Sequence, residues 1–194
     1  MARVKRLCVY CGSSSRVDEA YRAAAARLGQ IVAAAGIGLV YGGGRVGLMG
    51  LMADAALGAG GRVTGVIPGL LHGREVGHSE LSELVVVGSM HERKQRMFDL
   101  ADAFVMLPGG LGTLDETIEI LTWKQLGLHD KPVIIADING YWAPLRRLVD
   151  HVIGEGFAEA AARGFFHVVS SVEDILPALA AMPEPAKPGD SRLA

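Results

Sequence analysis

The chain contains 194 residues, of which 50% are hydrophobic and 21% charged, and its formal net charge is −2 at pH 7. A chain of this length can bury one substantial core but is short for two, so we expect a single domain. The small net charge supplies no electrostatic field for nucleic acid or an anionic membrane, and neither is expected as a partner.

Apolar, β-rich segments alternate with segments of helical periodicity along the chain. The predicted strands are residues 7–10, 38–41, 63–67, 84–87, 104–107, 133–136 and 167–169. The predicted helices are residues 18–35, 48–59, 90–101, 114–126, 141–155 and 172–181. Nearly continuous apolar strands that alternate with helices are typical of a parallel sheet covered on both faces. The predicted fold is therefore a doubly wound, Rossmann-like α/β domain.

The two ends of the chain indicate where the domain stops and where the protein is expected to reside. The basic residues 1–6 lead into a short strand and not into a signal peptide, and no apolar run approaches the roughly 20 residues of a membrane span. Residues 183–194 contain three prolines and few apolar residues, which predicts a disordered tail after a domain at 1–182. We expect a cytoplasmic protein.

Cys8 and Cys11 form a C-x-x-C sequence in the first predicted strand, a spacing that elsewhere indicates a redox pair or half of a zinc site. Residues three apart in a strand point to opposite faces, and no second Cys or His pair at ligand spacing accompanies them. The six histidines are scattered along the chain. We therefore expect two reduced, packed thiols, no bound metal and no cofactor.

The segment 108–116, with the sequence PGGLGTLDE, joins an apolar strand to a helix. Three of its residues lack side chains and can bring backbone N–H groups close to an anion: Gly109, Gly110 and Gly112. The helix N-terminus adds partial positive charge and Thr113 adds a hydroxyl donor, so the turn predicts a phosphate site. The Glu116 carboxylate would repel a phosphate, which indicates that its negative charge interacts with some group other than the phosphate. The alternative is a capping box formed by Thr113 and Glu116.

The predicted helix 90–101 precedes the strand that leads into this turn. Its apolar residues share one face: Met90, Met97, Phe98 and Ala101. Arg93 and Lys94, three and four residues after Met90, lie along this apolar face. Cations that were exposed to solvent would lie on the opposite face of the helix. We therefore expect both cations to have partners inside a cleft.

Two further glycine-containing turns are expected at the carboxyl edge of the sheet, where ligands bind in doubly wound folds. In the turn 11–14, Ser13 either contacts the ligand or only caps a helix. In the turn 42–44, Gly43 and Gly44 either let a nucleotide approach the backbone or only permit close packing of a helix on a strand. The sequence 42–50 does not match G-x-G-x-x-G, so a dinucleotide fingerprint is not supported.

Together these motifs resemble the signature of the LONELY GUY (LOG) family, the cytokinin riboside 5′-monophosphate phosphoribohydrolases. The resemblance rests on M-x-x-R-K at 90–94 and P-G-G-x-G-T-x-x-E at 108–116, and it extends from about residue 8 to 170. It implies hydrolysis of the N-glycosidic bond of (N6-modified) adenosine 5′-monophosphates to free base and ribose 5-phosphate. It also implies substrate contacts for Glu75, in a long polar loop, and for Thr122. Without the family, these residues are a solvated glutamate and a helix-packing threonine.

The residue types fit that reaction, because N-glycosidic cleavage passes through a ribosyl cation with oxocarbenium character. Glu116 would stabilise this charge and orient or deprotonate the attacking water, so Glu116 and Arg93 are the candidate catalytic residues. The glycine turn and Thr113 would hold the 5′-phosphate. Arg93 and Lys94 would offset the repulsion between phosphate and carboxylate and keep Glu116 ionised. Candidate walls for the base, equally ordinary as core residues, are Met49, Met90, Met97, Trp123 and Leu126.

Two other functions remain open at this point. A non-catalytic carrier of a nucleotide or phosphorylated cofactor could share the fold, although it would have little use for an acid beside its phosphate. A pyridoxal-phosphate decarboxylase needs a Schiff-base lysine, and none of the five lysines follows the pattern of one. The resemblance further implies a homodimer, with a higher assembly possible, whose contact includes the helices 90–101 and 114–126. Trp123 either belongs to this contact or packs in its own chain.

Overall fold

Seven parallel strands form one sheet at the centre of the computed structural model, which describes residues 4–72, 78 and 80–183. The strands are β1 (Arg6–Tyr10), β2 (Gly38–Tyr41), β3 (Val63–Pro68), β4 (Glu83–Val87), β5 (Ala103–Met106), β6 (Val133–Ala136) and β7 (His167–Val169). Their order across the sheet is β4-β3-β2-β1-β5-β6-β7, and each neighbouring pair is parallel. The chain therefore builds outward from β1 to one edge and then returns to continue at β5.

The described residues form seven α-helices, six of which connect consecutive strands, while the seventh follows the last strand. They are α1 (Glu19–Ala34), α2 (Gly47–Gly58), α3 (Gly69–His72), α4 (Met90–Leu100), α5 (Leu111–Gln125), α6 (Ala143–Gly154) and α7 (Ile175–Ala181). Short 3-10 helices occur at Ile138–Gly140 and Ala160–Gly164. The predicted doubly wound α/β fold is confirmed.

The helices cover both faces of the sheet and enclose two hydrophobic clusters. One cluster contains residues of α1, α2 and α7, and the other contains residues of α4, α5 and α6. Strand residues alternate between them because successive side chains point to opposite faces. Cys8 lies in the second cluster and Cys11 in the first, and both are free, buried thiols, as expected from their spacing.

The seven predicted strands and six predicted helices are all present, with boundaries that differ by at most three residues. The structure adds α3 and the 3-10 helices, which are too short for their periodicity to be recognised in sequence. One boundary affects the site, because α5 begins at Leu111 and not at residue 114. Gly110 takes the extended conformation of an N-cap, with φ −90° and ψ −155°.

The site is positioned by the reversal of chain direction between β1 and β5. β1 pairs with β2 on one side and with β5 on the other. In doubly wound sheets this reversal opens a crevice at the carboxyl ends of the strands, which is the usual place for a ligand.

The remaining sequence-based expectations concern membrane spanning and the tail. No helix in the described part of the chain combines the length and apolar character that a membrane span requires. Except for Pro183, the predicted tail at 183–194 lies outside the described residues.

Candidate active site

A cavity of about 280 Å³ opens at the carboxyl ends of β1 and β2, beside the N-terminus of α5. It coincides with the crevice expected between β1 and β5. Seven of the predicted site residues line it: Ser13, Met90, Arg93, Gly110, Gly112, Thr113 and Glu116. Three separate sequence motifs therefore meet in one cavity.

The N-terminus of α5 faces this cavity without a side-chain cap. Its N-cap is Gly110, and the helix begins at Leu111. The first N–H groups of an α-helix have no partner within the helix, so those of Leu111, Gly112 and Thr113, three residues that line the cavity, are available to a ligand. The same helix end carries the positive pole of the helix dipole. An anion such as a phosphate fits this arrangement.

The turn before α5 is held from two sides. The Gly12 N–H donates to the Pro108 carbonyl at 3.0 Å, and the Tyr141 hydroxyl donates to the Gly109 carbonyl at 2.6 Å. Gly109 itself does not line the cavity, and a Cβ at this position would overlap the Thr113 hydroxyl. Glycine is needed there for packing and not for ligand contact. Tyr141 is not among the residues predicted from sequence, and its one sequence signal is its place shortly after β6, at the same edge of the sheet.

Arg93 and Glu116 form an ion pair in the cavity. Nη1 of Arg93 donates to Oε1 of Glu116 at 3.0 Å, and the two side chains are only 11% and 9% exposed. Nε of Arg93 donates to the Val66 carbonyl at 3.1 Å, and Nη2 donates to the Gly42 carbonyl at 3.3 Å. Backbone carbonyls at the ends of β2 and β3 therefore hold the guanidinium, and two of its five N–H groups are left over from these bonds.

The Glu116 carboxyl titrates near neutral pH. Burial raises its pKa to about 7, while the attraction of Arg93 lowers it and the charge of Asp115 raises it. Desolvation therefore outweighs the attraction of the neighbouring cations, although Arg93 and Lys94 both favour the ionised form of Glu116. A carboxyl with a pKa near 7 can gain and lose a proton during a reaction at neutral pH.

The capping-box interpretation of Thr113 and Glu116 is wrong. Thr113 lies inside the first turn of α5, and the Glu116 carboxylate pairs with a cation of α4. A related capping arrangement occurs instead at the start of α4. The Ser89 hydroxyl accepts from the Glu92 N–H at 3.1 Å, and the Glu92 carboxylate accepts from the Gly88 N–H at 2.7 Å. These bonds fix the first turn of α4, the helix that carries the candidate catalytic residue Arg93.

Lys94 is buried, as expected, but lies outside the cavity lining. Its Nζ lies 3.0 Å from a Glu119 carboxylate oxygen and 3.2 Å from one of Asp115. Burial lowers the pKa of Lys94, but hydrogen bonds to Glu119 and Asp115 more than compensate and raise it. Both partners lie along α5, so the predicted substrate contact of Lys94 has no counterpart in the cavity.

Three other predicted contacts lie away from the cavity lining: Gly43, Gly44 and Thr122. Gly43 has a φ of +75°, and a Cβ there would lie 3.1 Å from the Cβ of Ile67, so the packing interpretation accounts for it. Thr122 is exposed on α5, and its hydroxyl donates to the Ile118 carbonyl at 2.7 Å. Within a single chain, none of the three reaches the cavity.

The polar loop between β3 and β4 contributes one wall. It begins as the short helix α3, from which Leu71 lines the cavity. Further along, His78 is buried and its Nε2 lies 2.6 Å from the Asp54 carboxylate of α2. Glu75, expected from the resemblance to contact substrate, lies outside the described residues.

The apolar part of the lining includes Met49, Leu71 and Met90. Three other candidates for the base wall do not line the cavity: Met97, Trp123 and Leu126. Met97 is fully buried in the core, and the Trp123 ring packs edge-on against Phe98 of α4 at 5.1 Å between centroids. This contact supports the interpretation of Trp123 as a packing residue of its own chain.

The other titratable groups near the cavity are poorly suited to acid–base chemistry. Burial raises the pKa of both Cys8 and Cys11 well above the ordinary thiol range, so both stay protonated at neutral pH. Among the described residues, no cluster of three or more His, Cys, Asp or Glu side chains could hold a metal ion. Among the described residues of the lining, Glu116 is therefore the group best suited to proton transfer, with Arg93 as its charge partner.

Comparisons with known proteins point in the same direction. A protein-family model described as "Possible lysine decarboxylase" matches residues 49–179. The chain is 45% identical over 175 residues to a probable cytokinin riboside 5′-monophosphate phosphoribohydrolase, LOGL5, of Oryza sativa subsp. japonica, covering 90% of this chain and 71% of the relative. It is 42% identical over 183 residues to the cytokinin riboside 5′-monophosphate phosphoribohydrolase LOG1 of Arabidopsis thaliana, covering 91% and 86%.

Solved structures resemble the fold. The molybdenum cofactor carrier protein of Chlamydomonas reinhardtii superposes with a TM-score of 0.69 at 21% identity, covering 92% of this chain and 97% of that chain. Identity this low supports a shared architecture and no shared ligand, because unrelated functions occupy the same fold.

Proposed function

Because the chain belongs to the LONELY GUY (LOG) family of cytokinin riboside 5′-monophosphate phosphoribohydrolases, we propose that it hydrolyses the N-glycosidic bond of adenosine 5′-monophosphates, including N6-modified ones. The products are the free base and ribose 5-phosphate. The observation that carries this proposal is the buried Arg93–Glu116 pair in the cavity that the N-terminus of α5 enters. A phosphate subsite and a desolvated carboxylate thus share one cavity.

The proposed substrate orientation follows the polarity of the lining. The 5′-phosphate would accept hydrogen bonds from the first N–H groups of α5, from Leu111 to Thr113. The ribose would then lie about one helical turn further along, next to Glu116. The base would lie against the apolar side chains of Met49, Leu71 and Met90, and methionine side chains adapt to substituents of different size.

The proposed chemistry breaks the bond between C1′ of the ribose and the base nitrogen, whose electron pair leaves with the base. Positive charge then develops on the ribose ring, and a carboxylate at Glu116 would stabilise it. A buried carboxylate has lost its hydration, so a cation that forms beside it stabilises it strongly. The attraction between Glu116 and the ribose is therefore stronger in the transition state than in the bound substrate. Water adds to C1′, and Glu116 would take the proton that the water releases. The departing base nitrogen takes up one proton from solvent, and Glu116 returns its proton to solvent, so the neutral base and ribose 5-phosphate are formed.

A carrier function is less well supported than hydrolysis. A protein that only holds a phosphorylated ligand gains nothing from a buried carboxylate in the same cavity, since the like charges repel. The decarboxylase description is also poorly supported, because no lysine is among the described residues that line the cavity. Lys94, whose charge lowers the pKa of Glu116, is engaged by Asp115 and Glu119.

A substrate panel tests the proposal directly. The purified protein is incubated with AMP, N6-isopentenyl-AMP, CMP, adenosine and N6-isopentenyladenosine, and the released bases are separated and quantified. We expect adenine or isopentenyladenine from the 5′-monophosphates and far less from the nucleosides, because the phosphate aligns the reacting carbon. Binding of AMP without release of adenine would instead support the carrier, and equal rates for AMP and adenosine would contradict the phosphate anchor.

We further infer a homodimer, with a higher assembly possible, formed through α4 and α5. Leu111, Ile118 and Thr122 lie at spacings of seven and four residues on the outer face of α5, where Leu111 is 85% and Ile118 44% exposed. Met90 of α4 and Leu126, just after α5, are further exposed apolar side chains of these two segments. A second copy would cover this face, since large exposed apolar patches mark contact sites. Thr122 would then approach the subunit boundary, where the family resemblance expects the site. The cytoplasmic location stays a prediction.

A further inference from the structure

Arg93 is held by backbone carbonyls from two neighbouring strands, β2 and β3, that lie far from it in sequence. Its Nε donates to the Val66 carbonyl of β3, and its Nη2 donates to the Gly42 carbonyl just after β2. These two bonds leave Nη1 directed at Glu116. The direction of the guanidinium therefore depends on how closely it can approach the backbone at residue 42.

Gly42 permits this approach because it has no side chain. A Cβ built on Gly42 would overlap Nη2 of Arg93, and it would lie 3.1 Å from Cζ of Arg93 and 3.2 Å from Sδ of Met49. Gly42 is not among the glycines with positive φ, whereas its neighbour Gly43 has a φ of +75°. The backbone at residue 42 therefore tolerates other residues, and the guanidinium is what requires glycine there.

We propose that Gly42 is a positioning residue that seats the Arg93 guanidinium against Glu116, and that any side chain at residue 42 displaces this guanidinium from the cavity. The importance of this seating for turnover rests on the proposed phosphoribohydrolase function. The seating itself does not, because it follows from the contacts of Arg93. Gly42 lines the cavity, and its proposed role is exercised through Arg93.

The consequence for Glu116 can be measured without any substrate. In the part of the chain that the structure describes, the titratable groups that interact with Glu116 are Arg93 and Lys94 of α4, Asp115 of its own helix, and the neutral side chains Cys8 and Tyr10 of β1 and Cys11 just after it. Arg93 is the strongest of the influences that lower the pKa of Glu116. Its displacement removes this influence, so the midpoint of the Glu116 titration should rise.

The first experiment follows the Glu116 carboxyl by carbon NMR between pH 4 and 10 in the wild type, Gly42→Ala and Gly58→Ala. Gly58 is a matched control on α2, where a Cβ would meet nothing within 4 Å. We expect the Glu116 midpoint to rise by about one pH unit in Gly42→Ala, the size of shift that one close opposite charge produces, and to stay unchanged in Gly58→Ala. An unchanged midpoint in Gly42→Ala would overturn the proposal.

The second experiment is a double-mutant cycle with Arg93→Lys, because lysine has no atom that corresponds to Nη2. With AMP as substrate, Gly42→Ala should lower kcat on the order of 10²-fold in the wild type and cause little further loss in Arg93→Lys. An equal loss in both backgrounds would overturn the proposal. If the wild type releases no base, the proposed function fails, and the titration still decides the role of Gly42.

The same variants settle the case in which Gly42→Ala does not fold. The overlap of the added Cβ is with Arg93, so Gly42→Ala combined with Arg93→Lys should fold as Arg93→Lys does. Recovery of folding in the double variant supports the proposal. Failure of the double variant to fold, when Arg93→Lys folds, shows that the added Cβ clashes elsewhere and overturns it.

Discussion

Nη1 of Arg93 lies 3.0 Å from Oε1 of Glu116, and neither side chain exposes more than 11% of its surface. Taking two opposite charges out of water costs much of the free energy that their attraction returns. A buried ion pair is therefore weak support for stability. Its position in a cavity, next to a helix N-terminus, is better explained by chemistry that needs both charges.

The pH dependence of activity is the first prediction. If the ionised carboxylate of Glu116 is the active form, kcat/KM for AMP should rise with increasing pH, with an apparent pKa near 7. A glutamate with an ordinary pKa would place this rise near pH 4.5. Initial rates of adenine release between pH 5 and 9 measure this. The slow hydrolysis of adenosine is the control, because it has no phosphate to titrate and should show the same limb. A limb below pH 5 would contradict the role of Glu116.

The second prediction concerns Glu116→Gln. The amide can still accept a hydrogen bond from Arg93, but it cannot stabilise a cation or take a proton. Turnover of AMP should be abolished, whereas AMP binding, measured by calorimetry, should stay within about tenfold of the wild type, as expected when a transition-state interaction is lost. Glu119→Gln is the matched control, since Glu119 pairs with Lys94 outside the cavity. Activity above about a tenth of the wild type would remove Glu116 from the mechanism.

The third prediction links Glu116 to stability. Its pKa is raised from an ordinary value of 4.5 to about 7 in the folded protein. Its contribution to stability is therefore complete below pH 4.5 and is lost as the pH rises through 7, by at most about 3 kcal/mol. The urea midpoint of Glu116→Gln minus that of the wild type should thus be more positive at pH 8 than at pH 5. An identical difference at both pH values would show that Glu116 titrates normally.

Much of the fold and the composition of the cavity could be predicted from sequence for a physical reason. Strands and helices alternate with clear periodicity, and parallel strands bring the segments after their carboxyl ends to one edge of the sheet. The motifs at 11–14, 42–50 and 108–116 follow β1, β2 and β5, so they had to meet. The burial of Arg93 could be predicted because the apolar face of its helix includes it.

The contacts that orient the site could not be predicted, because they join residues far apart in sequence. Gly42 and Arg93 are 51 positions apart, and Gly109 and Tyr141 are 32 apart. Sequence spacing also does not show how strongly a carboxyl is desolvated, so the direction of the Glu116 pKa shift was missed. The start of α5 was misplaced because a threonine is a more familiar N-cap than a glycine in an extended conformation.

The fourth prediction concerns Tyr141, whose hydroxyl fixes the Gly109 carbonyl in the turn before α5. Tyr141→Phe keeps the ring against Tyr21 and Trp142 but loses a hydrogen bond worth about 1 kcal/mol. KM for AMP should rise about fivefold, with adenosine hydrolysis unchanged, because only the phosphate uses this turn. Tyr21→Phe is the control and should leave both substrates unaffected. A parallel loss for AMP and adenosine would indicate a general structural role.

The last prediction concerns assembly through the outer face of α5. Ile118 is 44% exposed in the single chain, so Ile118→Glu should leave the fold intact but place a charge in the proposed contact between two copies. We expect the variant to sediment as a monomer at micromolar concentration and to lose activity, if Thr122 and the cavity lie near the subunit boundary. Leu148→Glu is the matched control, because Leu148 is 54% exposed on α6, a helix outside the proposed contact. A wild-type protein that sediments as a fully active monomer would refute the homodimer, and equal effects of the two glutamates would move the contact away from α5.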